Sequence, residues 1–90
     1  MKADPVETTR LLKTARGQID GILRMIEQDQ YCIKISHQLL ACEAILRKAN
    51  RIILREHMVE CVREATTSGS QQELEQKVKE LTELIDQLSS

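Results

Sequence analysis

The apolar positions of this chain fall into three stretches of helical period. In the first, Leu12, Ala15, Ile19, Ile22, Leu23 and Ile26 recur mostly three or four residues apart, the spacing that lines one face of an α-helix. In the second, Ile35, Leu39, Cys42, Leu46, Ala49 and Ile53 step by 4, 3, 4, 3 and 4, a heptad seam. Ile45, Ile52 and Val59 add another stripe beside it. In the third, Leu74, Val78, Leu81, Ile85 and Leu88 step by 4, 3, 4 and 3.

The polar breaks agree with this division. Asp4 as N-cap, Pro5 at the first helical position and Glu7 in the first turn open a helix. EQDQYC, residues 27–32, interrupts it. Gly69, in TTSGS, suits the left-handed residue that ends a helix, and Ser70-Gln71-Gln72-Glu73 matches a capping box for the next one. The pattern predicts an all-α chain, one domain over residues 1–90, with helices over about 5–28, 32–66 and 71–88. The central helix is then roughly 50 Å long at 1.5 Å per residue. Being apolar on more than one face, it needs partners beyond its own short chain. Gly17 and Gly21 lie inside the first helix, where each costs about 1 kcal/mol against Ala; close helix packing or a closely approaching ligand accounts for such a cost.

Composition sharpens this picture. The chain is 41% hydrophobic, yet its one aromatic residue is Tyr31. A core of Leu, Ile, Val, Met and Ala suits helix-on-helix packing, and oligomerisation is a way to bury enough of it. No apolar run approaches the roughly 20 residues that span a bilayer, and the N-terminus lacks a signal-peptide pattern. The expected location is therefore the cytoplasm, where thiols stay reduced and three widely spaced cysteines read as core, ligand or redox groups. Net charge is −1, divided as +3 over residues 1–52 (nine Lys/Arg, six Asp/Glu) and −4 over residues 53–90 (four, eight). The basic half suits an anionic partner such as DNA, or equally an ordinary solvated surface. With no Gly-rich phosphate loop, no carboxylate pair in an apolar setting and no triad, an enzyme is not expected.

HMVEC, residues 57–61, places His57 and Cys61 one turn apart on one helix face. Such a pair is either two metal ligands or two ordinary helix residues. Two ligands hold a metal ion poorly, and the next thiol, Cys32, lies 25 residues before His57, roughly 37 Å away along a continuous helix. One chain cannot bring the three together. Two chains can, if two copies of the central helix pack antiparallel, giving two symmetric sites per dimer. Two thiolates and an imidazole suit a soft, low-coordinate ion such as Cu(I) better than Zn(II), which usually takes four ligands. Cys42, on the heptad seam, reads as a small apolar core residue, and His37 as a polar surface or interface residue.

RLLKTARGQIDGILRMIE, then QYC, then RKANRIILREHMVEC together resemble the CsoR/RcnR/FrmR superfamily of bacterial transcriptional repressors over about residues 8–88. The resemblance implies a three-helix protomer that forms an antiparallel dimer and then a dimer-of-dimers tetramer. It implies a repressor that binds operator DNA and releases it when the inducer binds. Cys32, His57 and Cys61 fill the ligand set of the copper-sensing members. Nickel and cobalt sensors add an N-terminal His and end the set with His, whereas residues 1–10 lack His and the last ligand here is Cys61. Formaldehyde sensors lack the second Cys. Persulfide sensors keep both cysteines and commonly lack the His, so the alternative is a CstR-like repressor in which Cys32 attacks a sulfane sulfur and Cys61 of the neighbouring chain resolves it as a cross-link.

Copper sensors carry a Tyr and a helix 3 Glu around the ligands; Tyr31 matches the first, while Lys77 stands at the position of the second, with Glu75 and Glu80 nearby. The family's usual Arg in helix 1 falls on Leu11, with Arg10 beside it. For DNA, the resemblance directs attention to Arg10, Lys13 and Arg16 on helix 1 and Arg47, Lys48 and Arg51 on helix 2 as phosphate contacts, with Gln18 at a base edge or sugar. Phosphate contacts position a protein on DNA without reading sequence, so shape readout is expected.

Overall fold

The computed structural model describes residue 1, residues 3–69 and residues 71–89 as three helices, α1 (Pro5–Glu27), α2 (Cys32–Ser68) and α3 (Gln71–Ser89). No strand occurs among the described residues. The start of α1 is the predicted one. Asp4 has extended φ/ψ of −63° and 116°, and its carboxylate accepts the Val6 N–H at 3.0 Å, satisfying one of the amides that a helix leaves unpaired at its start.

α1 closes through a tight turn. Gln28 N–H donates to the Arg24 carbonyl, Asp29 N–H to that of Ile26 and Gln30 N–H to that of Met25, each at 3.0 Å. The reversal places Asp29 at φ 52°, a left-handed conformation that Asp tolerates better than most side chains. The chain then enters α2 antiparallel to α1. α2 runs two residues past the predicted end at 66, and the Thr66 and Thr67 hydroxyls bond back to the Val62 and Arg63 carbonyls at 2.8 Å each, which keeps both polar groups satisfied inside the helix. Gly69 ends it at φ 72°, donating its N–H to the Ala65 carbonyl at 3.0 Å. Ser70 of the expected capping box lies outside the described residues.

The stripes pack differently from their simplest reading. On α1 the buried residues are Thr8, Leu11, Ala15 and Ile22. Leu12, Ile19, Leu23 and Ile26, expected in the core, remain 45–56% exposed. α1 carries two adjoining apolar faces, and one neighbouring helix covers only one of them. α2 shows the same division. Cys42 and Ala49 of its heptad seam are buried, while Leu39 and Leu46 are 52% and 42% exposed. Ala15, Ile22 and Cys42 form the centre of the α1–α2 core, with Ile35 and Ile45 packed against it. The Cys42 thiol points at the Ala15 carbonyl, 3.8 Å away, and is the small core residue its place on the seam predicts.

α3 packs on α2 with Leu74, Lys77, Glu80, Leu81 and Leu84 half-buried, whereas Val78, Ile85 and Leu88 stay about half exposed. Between α2 and α3 lies an open groove of about 770 Å³, floored by residues including Ile52, Met58, Leu81 and Ile85 and edged by Arg51 and Arg55. The principal dimensions, 59 × 28 × 12 Å, describe a thin slab as long as α2. Such a slab has too little thickness to bury both faces of any helix.

The two mid-chain glycines of opposite character give a test of this backbone. Gly69→Ala forces a Cβ into the left-handed region and is expected to cost about 1 kcal/mol. A Cβ at Gly17 meets nothing within 4 Å, so Gly17→Ala is expected to stabilise by about 0.5–1 kcal/mol through helix propensity. Urea unfolding at one protein concentration measures both; a loss at Gly17→Ala would show that another chain packs against that position.

Candidate metal centre

His57 and Cys61 sit on the C-terminal half of α2 and share a face, as their spacing predicts. The imidazole Nε2 lies 3.4 Å from the Cys61 sulfur. His57 is half-buried, and Cys61 is 1% exposed. One donor therefore has access to solvent and the other is shielded from it. The rigidity of this pair comes from the helix: both residues belong to an unbroken segment with a full turn of backbone on either side.

Cys32 is elsewhere. It is exposed, the first residue of α2, at the opposite end of a helix that is continuous from Cys32 to Ser68. The separation from His57 is roughly 37 Å at 1.5 Å per residue. Among the described residues of the single chain, no three His, Cys, Asp or Glu side chains converge as a metal cluster. The chain thus offers a two-donor half-site at one end of α2 and a single thiol at the other. Tyr31, the N-cap residue of α2, adjoins Cys32 and is 66% exposed, with no side-chain cap hydrogen bond.

On α3, Lys77 occupies the α2-facing side with its side chain 28% exposed, and its ammonium lies 3.9 Å from the Glu80 carboxylate. Glu80 is half-buried, whereas Glu75 is exposed and accepts the Gln71 amide at 3.2 Å. Of the two carboxylates near Lys77, Glu80 is thus the inward one.

The basic residues lie on the surface of the α1–α2 pair. Arg10, Lys13, Arg16, Arg47, Lys48 and Arg51 are all exposed. Arg10 Nη2 pairs with Glu7 at 2.7 Å, and Arg47 with Glu43 at 3.3 Å. The hydrogen bond from Arg10 holds the Glu7 carboxyl below its ordinary value, with smaller help from the Arg10 and Lys48 charges. Lys48 on α2 is thus near enough to α1 for its charge to act on Glu7. Gln18 lies apart from them. It follows Ala15 and precedes Ile22 on the buried stripe, and its amide oxygen is buried with no hydrogen-bond partner.

Periodicity did not single out Ala3 or Glu56. Ala3 is 3% exposed, and the Glu56 carboxylate, beside His57, accepts the Asp4 N–H. The bond spans 52 positions of sequence, and no spacing or motif links its two ends.

The fold agrees with comparison to known proteins. Residues 6–87 match the family described as metal-sensitive transcriptional repressor, and the chain belongs to that family, the CsoR/RcnR group that its sequence resembles. A copper-sensing transcriptional repressor CsoR of Mycobacterium ulcerans is 47% identical over 58 residues, 64% of this chain. That match spans about half the length of the mycobacterial relative, 50%. The CsoR of Bacillus subtilis is 34% identical over 79 residues, covering 88% of this chain and 75% of the relative. The crystal structure of the copper-sensing repressor CsoR with Cu(I) from Geobacillus thermodenitrificans superimposes with a TM-score of 0.83 at 32% identity, over 96% of this chain and 86% of that one. The nickel-responsive regulator InrS superimposes with a TM-score of 0.80 at 28% identity, over 97% and 94%.

The Glu7–Arg10 pair has a defined pH signature. A carboxyl lowered on folding contributes stability above its unfolded value, and that contribution is lost as pH falls through the lowered folded value, below 4.5. NMR titration of the Glu7 carboxyl is expected to give a midpoint below 4.5 in the native chain and one moved up towards 4.5 in Arg10→Ala. An unchanged midpoint would mean that Arg10 does not hold Glu7 in solution.

Proposed function

We propose that this chain is a cytoplasmic, DNA-binding transcriptional repressor that holds Cu(I) between two protomers and releases operator DNA when the site is filled. The ligands are Cys32 of one protomer with His57 and Cys61 of another. The observation that carries this reading is the pairing of His57 Nε2 and Cys61 Sγ at 3.4 Å on a continuous helix whose far end presents the exposed Cys32. Antiparallel pairing of two α2 helices sets the single thiol of each against the half-site of the other, and two-fold symmetry completes both sites at once. The exposed Leu39 and Leu46 of the heptad seam, with Leu12, Ile19 and Leu23 of α1, supply apolar area for that dimer and for its pairing into a tetramer.

The donor set fits the ion. Two thiolates and one imidazole are soft ligands in the number Cu(I) accepts, and the bound ion supplies a crosslink between chains in place of the thiol protons. Tyr31, exposed in the single chain, is placed to cover the Cys32 side of the joint. His57 favours this reading over that of a dithiol sensor, which needs two thiols and no third ligand; the copper-sensing relatives favour it as well. The role is regulatory, not catalytic.

Arg10, Lys13, Arg16, Arg47, Lys48 and Arg51 serve as the DNA face by contacting phosphates. Ligation that fixes the start of one α2 against the end of another changes how the two basic faces are spaced. A difference of about 1–3 kcal/mol in DNA affinity between the two states suffices for a switch.

Two measurements test these assignments. Anaerobic Cu(I) titration against a competing chelator is expected to give tight uptake of one ion per protomer, lowered by at least about tenfold in His57→Ala, the loss of one ligand being worth more than 1.4 kcal/mol. Mixing Cys32→Ser with Cys61→Ser chains is expected to restore uptake at one site of each mixed dimer. Uptake indifferent to His57 would remove the copper site and leave the Cys32–Cys61 dithiol with sulfane sulfur as inducer. For DNA, Arg16→Ala and Arg51→Ala are each expected to lower the slope of log K against log salt by about 1. A DNA fragment selected from genomic DNA by the metal-free protein serves as probe, and unchanged slopes would take these residues off the interface.

A further inference from the structure

The short arm before α1 is built into the fold. Ala3 is 3% exposed although Met1 is 78% exposed, so the chain is pressed against its own body before the helix begins. Asp4 uses each of its polar groups there. Its carboxylate accepts the Val6 N–H at 3.0 Å, its carbonyl accepts the Thr8 hydroxyl at 3.3 Å, and its own N–H donates to the Glu56 carboxylate. Thr8, 3% exposed, is a buried polar residue on the α1 face that packs against α2, so the cap and the first turn are fastened as one unit. Glu56 immediately precedes His57 and shares its helical turn.

We propose that Glu56 is a positioning residue that makes the first turn of α1 follow the His57 turn of α2. Apolar helix contacts permit small slides, whereas a carboxylate-to-amide hydrogen bond is directional and charge-assisted. The bond lies at the end of α2 that carries the half-site and at the end of α1 where Arg10, paired with Glu7, begins the basic face. A displacement of the His57 turn therefore pulls on the cap of α1 and, through that cap, on the Glu7–Arg10 pair and the neighbouring Lys48. The proposal rests on the metal-site reading above and adds the route by which that site reaches the basic face. Glu56 holds a backbone amide and acts on the ligands only through the helix they share.

The test compares the wild-type chain, Glu56→Gln and Glu56→Ala by amide hydrogen exchange, each metal-free and after anaerobic addition of Cu(I), with uptake measured by chelator competition. In the metal-free state, Glu56→Ala is expected to speed exchange over residues 4–8 by about tenfold, the loss of one charge-assisted bond. Glu56→Gln, which keeps a carbonyl acceptor, is expected to recover most of that protection. All three chains are expected to take up Cu(I), and uptake is expected to alter protection over residues 3–10 in the wild type and Glu56→Gln but not in Glu56→Ala. Unchanged metal-free exchange in Glu56→Ala would overturn the bond's role. A copper-dependent change over residues 3–10 that survives in Glu56→Ala would overturn the coupling. Absence of Cu(I) uptake by the wild type would instead overturn the metal-site reading beneath it, an outcome distinct from failure of the coupling.

Discussion

The length of α2 governs the rest of this structure. A helix of 37 residues is a rod roughly 55 Å long at 1.5 Å per residue, and neither α1 nor α3, at 23 and 19 residues, can sheathe it. α1 covers one side of the first half, α3 covers part of the second, and apolar residues remain open on both. The same length keeps Cys32 away from His57 and Cys61. In the proposed metal site, a rod whose two ends carry complementary pieces can complete the site only with another rod. On that reading, packing and chemistry make the same demand for a second copy, and they make it at the same helix.

Within the single chain, the division of labour follows from how each donor is held. Helical geometry puts His57 and Cys61 in register without any help from loops, so their 3.4 Å spacing needs no special tertiary device. What surrounds them does. Cys61 is buried and His57 half-buried, and Glu56 beside them is bonded to the cap of α1. The His57–Cys61 pair is therefore seated in the part of α2 that both ends of the chain touch: the N-terminal arm through Asp4, and α3 through its packing along the groove with Met58 and Leu81.

Much of this was legible in the residues. Asp4-Pro5 and Gly69 are local signals whose physics acts within a few positions, and both mark helix ends where the spacing places them. The His57–Cys61 pair was legible for the same reason. The buried face of α1 was not. Leu12 and Ile19 fit the helical period as well as Leu11 does, and a helix apolar on two sides carries no sign of which side its own chain will cover. Gln18 shows the same limit: a polar residue flanked by charged and apolar neighbours reads as surface, yet it lies on the buried stripe with its amide oxygen out of solvent. The Asp4–Glu56 bond was invisible, since nothing in the sequence pairs residues 52 positions apart.

The half-open row of Leu12, Ile19, Leu23 and Ile26 has a consequence for abundance. Whatever binds the folded chain and not the unfolded one raises its stability by mass action, with the logarithm of the binder's concentration. If the binder is another copy, the fold gains stability as the stock of chain rises. At low stock the row stays uncovered, and a population opening more often is more exposed to proteolysis. The apolar face of one helix thereby links how much of the protein is made to how long each molecule lasts.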